Sequence, residues 1–116
     1  RQLASFALDV QGQQVPLASL SHRPVDAVAG LAQPDAFFAM LRQAGLSLNH
    51  TTPLPDHFDY ANWPTDALSR PLLCTEKDAA KLWQRQAQAL AVPLELTPEP
   101  AFWQALDQLM AEKNMR

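Results

Sequence analysis

The sequence predicts an α/β fold in which strands and helices alternate in layers around a largely parallel or mixed sheet. Three observations carry this. The opening segment alternates residue types with period two. An apolar run, Val25 to Leu31, passes straight into a pattern of helical spacing. Strand-like and helix-like stretches then keep alternating to the end of the chain. With 116 residues the chain can bury one core but not two, so a single α/β domain is expected over residues 1–116.

Residues 3–10 place Leu3, Ser5, Ala7 and Asp9 on one side and Ala4, Phe6, Leu8 and Val10 on the other, the pattern of a half-buried strand. Gly12 permits a turn, and residues 13–20 read as a weaker return strand cut by Pro16, which makes the pair an edge hairpin. The run from Val25 to Leu31 suits a buried strand. Pro34 and Asp35 open a helix, because proline fits the first helical position and an acid there complements the helix dipole. Gly45 closes it, and Phe37, Phe38, Met40, Leu41 and Ala44 form a core-facing stripe between. Residues 46–50 alternate as a strand that delivers the chain into a proline-rich loop.

Beyond that loop, Asp59 or Asn62 is expected to cap a short helical turn ending near Ser69, followed by a strand over 71–74. A helix over 79–91 with Leu82, Trp83 and Leu90, a short strand over 92–96, and a last amphipathic helix introduced by Pro98 and Pro100 complete the reading.

Composition excludes several function classes. The apolar share is 47%, yet no apolar run approaches the ~18 residues of a membrane span, so a soluble segment is expected. Net charge is −3 with Lys and Arg scattered singly, which offers neither a stripe for nucleic acid nor a polybasic patch for anionic lipid. The one cysteine, Cys74, excludes a disulfide within the chain and fits a reducing, cytoplasmic setting. Its apolar surroundings point to a small buried hydrophobe rather than a nucleophile. The chain opens on Arg1 without a secretory leader pattern and reads as a piece of something longer.

The chemistry concentrates in Pro53-Leu54-Pro55-Asp56-His57-Phe58-Asp59-Tyr60. Prolines limit the wandering of this loop, and a loop displays polar groups that an element interior would bury. Asp56 and His57 are the candidate catalytic pair. The plainer reading makes Asp56 a turn former and His57 a solvated side chain. Thr75-Glu76-Lys77-Asp78 lies at a strand-to-helix junction, where α/β proteins bind phosphates. It is either a helix cap, with Thr75 and Asp78 at capping-box spacing, or a place where Lys77 or Glu76 contributes to a cofactor-binding site or a domain interface.

No metal site is expected, since His50, Asp56, His57 and Asp59 match no ligand spacing. The three glycines, Gly12, Gly30 and Gly45, never precede a lysine, so no phosphate-binding P-loop is present.

Three motifs occur in order: Ala27-Val28-Ala29-Gly30-Leu31 with Pro34 and Phe37-Phe38, then Pro55-Asp56-His57 with Tyr60, then Thr75-Glu76-Lys77-Asp78-Ala79 with Lys81. Together they resemble the C-terminal part of the tetraacyldisaccharide 4'-kinase (lipid A 4'-kinase) family, from about Val15 onward. Leu31 replaces the family's usual isoleucine, Phe58 stands where a second histidine is common, and Tyr60 replaces phenylalanine.

The resemblance implies an ATP- and Mg2+-dependent kinase of lipid A and lipopolysaccharide biosynthesis. It would phosphorylate the 4'-hydroxyl of tetraacyldisaccharide 1-phosphate as a peripheral protein at the cytoplasmic face of the bacterial inner membrane. It further implies an N-terminal P-loop domain in the same chain, absent here, so the segment alone should be inactive. His57 would work with an aspartate from that domain, and Asp56 would orient it or touch a metal. A non-catalytic α/β interaction domain is the alternative from another class. A small hydrolase built on Asp56 and His57 lacks a convincingly placed nucleophile.

Overall fold

A computed structural model describes residues 2–95. The strand expected over 3–10 is divided into β1 (Gln2–Leu3) and β2 (Phe6–Leu8). The division falls where the backbone changes partner: Ala4 N donates to Pro93 O at 3.0 Å, while Ser5 O accepts from Leu17 N at 3.0 Å. β2 pairs antiparallel with β3 (Gln14–Pro16), which runs into a 3-10 turn over Leu17–Leu20. Val10 lies in the hairpin turn rather than a strand and is 47% exposed. Asp9 Oδ1 closes that turn by accepting from Gln11 N and Gln13 N, both at 2.9 Å, and Gly12 supplies its left-handed φ of 84°. Pro16 falls on the edge strand, where a missing N–H costs nothing to the ladder.

β4 (Val25–Ala29) is the buried strand expected, and α1 (Pro34–Gln43) follows with Pro34 in its first turn, Asp35 beside it and Arg42 in its last. The helix ends in a Schellman motif. Gly45, at φ 97°, donates to Arg42 O at 3.0 Å, and Leu46 N reaches back to Leu41 O at 3.2 Å. Leu46 is therefore buried as part of the helix stop, and β5 (Leu48–Pro53) begins two residues later than the alternation suggests.

The helical turn expected before Ser69 is absent. Asp59 Oδ1 instead accepts from Ala61 N at 2.9 Å, and Pro64 cannot supply a helical N–H. The carbonyls of this segment are satisfied by side chains: Gln86 Nε2 donates to Pro64 O at 2.8 Å and Asp66 O at 2.7 Å, and Arg85 Nε to Trp63 O at 2.9 Å.

β6 (Leu72–Thr75) leads directly into α2 (Glu76–Leu82), and β7 (Leu90–Val92) and β8 (Leu94–Glu95) follow. The helix expected over 79–91 thus starts earlier and stops after Leu82. Leu90 and Ala91 are drawn into the sheet, where β7 fills the space between β6 and β2, and this pairing overrides the helix-forming run of Ala and Gln residues. The strand expected over 92–96 is displaced with it. The helix expected after Pro98 lies outside the described residues.

The main sheet has the order β3-β2-β7-β6-β4-β5, parallel among β5, β4, β6 and β7 and antiparallel through β2 and β3; β1 and β8 form a separate antiparallel pair. Both faces are buried. On one, Val25, Ala27, Ala29 and Leu73 pack with Phe37, Phe38 and Leu41 of α1; on the other, Val28, Leu72 and Cys74 pack with Ala79 and Leu82 of α2 and with Tyr60. The result is a three-layer mixed α/β fold, with alternate residues of β4 and β6 serving opposite layers. Among the described residues no helix is long and apolar enough to cross a membrane.

Candidate active site

β4 continues through α1 to β5 on one side of it, whereas β6 lies on β4's other side and continues through α2 to β7, farther away. The chain therefore diverges between the carboxyl ends of β4 and β6, a topological switch point where open α/β sheets form a crevice. Three segments meet there: Gly30 after β4, the Pro53–Tyr60 loop after β5, and the Thr75–Asp78 junction after β6.

Their common partner is Asp78. The residue is 3% exposed, and its carboxylate accepts from Gly30 N at 3.2 Å to both oxygens, from Tyr60 Oη at 2.9 Å and from Thr75 Oγ1 at 2.8 Å. Thr75 Oγ1 in turn accepts from Asp78 N at 3.2 Å, so Thr75 is the N-cap expected of it. The reciprocal half of a capping box is missing, because the Asp78 carboxylate turns across the crevice instead of back to the Thr75 backbone. Every donor aimed at it comes from a different segment, and one carboxylate thereby ties all three together.

Gly30 is obligatory for this approach. A Cβ there would stand 2.9 Å from Asp78 Oδ1, 3.1 Å from Pro55 O and 3.3 Å from Phe58 Cβ. The first of these is closer than real Cβ contacts come.

Asp56 and His57 sit on the outer turn of the loop, with side chains 40% and 71% exposed. Asp56 Oδ1 accepts from Lys77 Nζ at 3.2 Å, while its Oδ2 stands 3.6 Å from His57 Nε2, beyond hydrogen-bond length. The Lys77 hydrogen bond, aided by the charge of His57, holds the Asp56 carboxyl below the usual range against a smaller opposing effect of desolvation. Asp56 thus engages Lys77 more closely than it engages His57. Together Asp56 and Lys77 line a groove of about 390 Å³ whose other walls include Leu31, Phe37, Met40 and Leu94. Glu76 is exposed in the first turn of α2.

The loop backbone is unusual at two places. His57 and Tyr60 have φ of 63° and 61°, left-handed values that cost a non-glycine residue about 1–2 kcal/mol each. Phe58 N donates to Pro55 O at 3.1 Å to close the turn. Tyr60 is fully buried between Phe58 and Trp63, with ring centroids at 4.9 and 5.4 Å in edge-on packing. Burial and the neighbouring Asp78 push its phenol far above the ordinary range, so it serves as a permanent donor. Burial likewise raises the Cys74 thiol, which leaves no thiolate for nucleophilic work.

His50, considered with this loop as a ligand, is elsewhere. Its backbone N donates to Asp26 Oδ1 at 3.1 Å on β4, and no group of three or more His, Cys, Asp or Glu side chains suited to a metal occurs among the described residues. The structure therefore brings Asp56, His57 and Lys77 together and leaves His50 out. Sequence reasoning took Asp78 only as a cap and met Gly30, Tyr60 and Lys81 only within motifs. The one available signal was the absence of any β-carbon at residue 30, at the end of an apolar strand.

Fold and site define a mixed α/β domain of the kind that works at the carboxyl edge of its parallel strands. A family model described as Tetraacyldisaccharide-1-P 4'-kinase matches residues 2–111, and the chain belongs to that family. It is 50% identical over 115 residues to the tetraacyldisaccharide 4'-kinase of Polaromonas naphthalenivorans, covering 95% of this chain and 34% of that protein. With the tetraacyldisaccharide 4'-kinase of Acidovorax sp. (strain JS42) it shares 47% identity over 113 residues, 96% of this chain and 33% of the relative. The chain thus spans about a third of the length of the curated relatives it matches. Its fold is similar to that of LpxK from Aquifex aeolicus, whose crystal structure is described as an "apo" form in complex with ATP. The TM-score is 0.70 at 24% identity, over 96% of this chain and 34% of that one.

Proposed function

We propose that this chain is the C-terminal third of a kinase that transfers the γ-phosphate of ATP to the 4'-hydroxyl of tetraacyldisaccharide 1-phosphate, and that it contributes His57 to the site. Family membership supports the reaction, and one observation supports the residue: an exposed imidazole on a tight turn, held at the carboxyl edge by a buried network. The described residues do not fit ATP or Mg2+ on their own. They contain no Gly-Lys phosphate loop and no cluster of three metal-binding side chains, and in this reading ATP and Mg2+ are bound mainly by an N-terminal P-loop domain of the same protein.

A sugar hydroxyl is a poor nucleophile, and phosphoryl transfer depends chiefly on positioning and charge stabilisation. His57 orients an aspartate from the other domain, which accepts the hydroxyl proton as attack proceeds. Asp56 and Lys77 keep each other in place in the same turn region. Dividing the pair between domains makes catalysis conditional on closure, which excludes water and limits wasteful hydrolysis of ATP. The full-length protein works as a peripheral protein at the cytoplasmic face of the bacterial inner membrane, where its lipid substrate resides.

The test is phosphate transfer from labelled ATP to tetraacyldisaccharide 1-phosphate by the full-length protein and, separately, by the 116-residue chain. Turnover by the first and none by the second is expected. Failure of the full-length protein, or ATP hydrolysis by the chain alone, would contradict the proposal.

A further inference from the structure

The loop that carries His57 is held at two points, and both lie on one face of α2. Lys81 Nζ donates to His57 O at 3.4 Å and Phe58 O at 3.2 Å. Three residues earlier in the same helix, Asp78 accepts the Tyr60 hydroxyl at 2.9 Å. Positions i and i+3 of a helix are neighbours on its surface, so the two side chains leave α2 from one face and grip successive parts of one turn. The residues between the two grips include both left-handed positions, His57 and Tyr60. Neither is glycine, so the turn persists only where its surroundings hold it. Carbonyls turned outward at such a bend are natural acceptors for a cation.

We infer that Lys81 is a positioning residue for His57, acting with the Asp78–Tyr60 hydrogen bond to fix the direction in which the imidazole leaves the turn. This rests on the reading of His57 as the working residue. Lys81 does not touch His57's ring. It holds the peptide planes on either side of Phe58 Cα, the first of which begins at His57 Cα, and so limits the direction of the His57 Cα–Cβ vector. The buried Tyr60 ring, packed against Phe58 and Trp63, prevents the far end of the turn from following if the near end shifts.

A lysine that only stabilised the fold would raise the melting temperature without setting the rate. One that bound substrate would set KM. A positioning lysine sets kcat, and its loss is invisible once the imidazole is gone.

Steady-state kinetics and thermal unfolding of the full-length enzyme separate these roles, using Lys81→Met, Lys81→Arg, Tyr60→Phe, His57→Ala and the double variant Lys81→Met/His57→Ala. Leu41→Ala, in the core on the opposite face, controls for lost stability. Lys81→Met should lower kcat by about ten- to a hundredfold, the range expected for a misplaced catalytic group, with KM for both substrates within about twofold. Lys81→Arg, which keeps the charge, should recover most of the rate. Tyr60→Phe should lower both kcat and Tm, while Leu41→Ala should lower Tm alone. The double variant should be no slower than His57→Ala.

Wild-type kcat for Lys81→Met, a loss confined to KM, or multiplicative losses in the double variant would each overturn the inference. If His57→Ala is slow and Lys81→Met is not, only the inference falls. If His57→Ala is itself as fast as wild type, the reading of the site falls and takes the inference with it.

Discussion

Gly30→Ala puts the most weight on the buried network. The added methyl would meet Asp78 Oδ1 at 2.9 Å, and that oxygen must retreat by about half an ångström to reach ordinary van der Waals separation. It has little room to do so. The carboxylate is already engaged by Tyr60 Oη at 2.9 Å and Thr75 Oγ1 at 2.8 Å, and the two Gly30 N contacts are at the long end of the range at 3.2 Å. Any retreat breaks the Gly30 contacts and leaves a buried N–H unpaired, at a cost of about 1–3 kcal/mol. Overpacking against Pro55 O at 3.1 Å and Phe58 Cβ at 3.3 Å adds a similar amount.

Because one displacement produces both losses they overlap, and a total of about 2–4 kcal/mol is expected. Backbone freedom does not enter, since residue 30 needs no left-handed φ. The assay is hydrogen exchange by mass spectrometry on the full-length protein, comparing peptides that cover residues 54–63 and 72–82 with those of α1. Protection should fall selectively in the first two, because they share the carboxylate, and kcat should fall with it, because Pro55 and Phe58 flank His57. Protection within experimental error of wild type in all three regions would refute the argument from close approach.

Two further substitutions probe the neighbouring contacts. Thr75→Ala removes both the helix cap and a donor to the buried Asp78, so it should destabilise by about 1–3 kcal/mol in thermal unfolding, more than a solvent-exposed cap would. Lys77→Met should raise the Asp56 carboxyl back toward the ordinary range, read from the side-chain carboxyl shift in an NMR titration. Asp56 is depressed in the folded protein, so what its pairing contributes is present above the unfolded pKa and is lost as pH falls through the folded value. Between exposed side chains that contribution is small, and the melting temperature at pH 7 should hardly change.

What the sequence made legible was mostly local. The proline and acid at the start of α1 and Gly45 at its end act within a few residues of where they stand, and that helix appears nearly as read, whereas the period-two opening is split into β1 and β2 by its change of partner. Misreadings arose where a distant partner decided the outcome. Residues 83–91 have helix-forming composition, yet β7 is required between β6 and β2, and sheet pairing won. Residues 59–69 carry cap-like residues, yet Gln86 and Arg85 take up carbonyls of the segment from a distant part of the chain.

In the site, the Pro55-Asp56-His57 turn and the Thr75 cap were visible as short patterns. The contact between Gly30 and Asp78 spans 48 residues and leaves no periodic trace, so the carboxylate that joins the three motifs read simply as one end of a cap. The motifs' spacing becomes intelligible once their backbones converge on it.

The proposed function stands or falls on whether His57 acts on the reaction through an aspartate of the other domain. The most direct measurement is kcat for full-length His57→Ala, for the partner aspartate replaced by alanine, and for the double variant, with thermal unfolding as a control for the fold. His57→Ala is expected to lose about 10²–10⁴ in kcat, with KM for ATP nearly unchanged and a double variant no slower than the slower single one. A near-wild-type kcat for His57→Ala, or losses that multiply in the double variant, would contradict it.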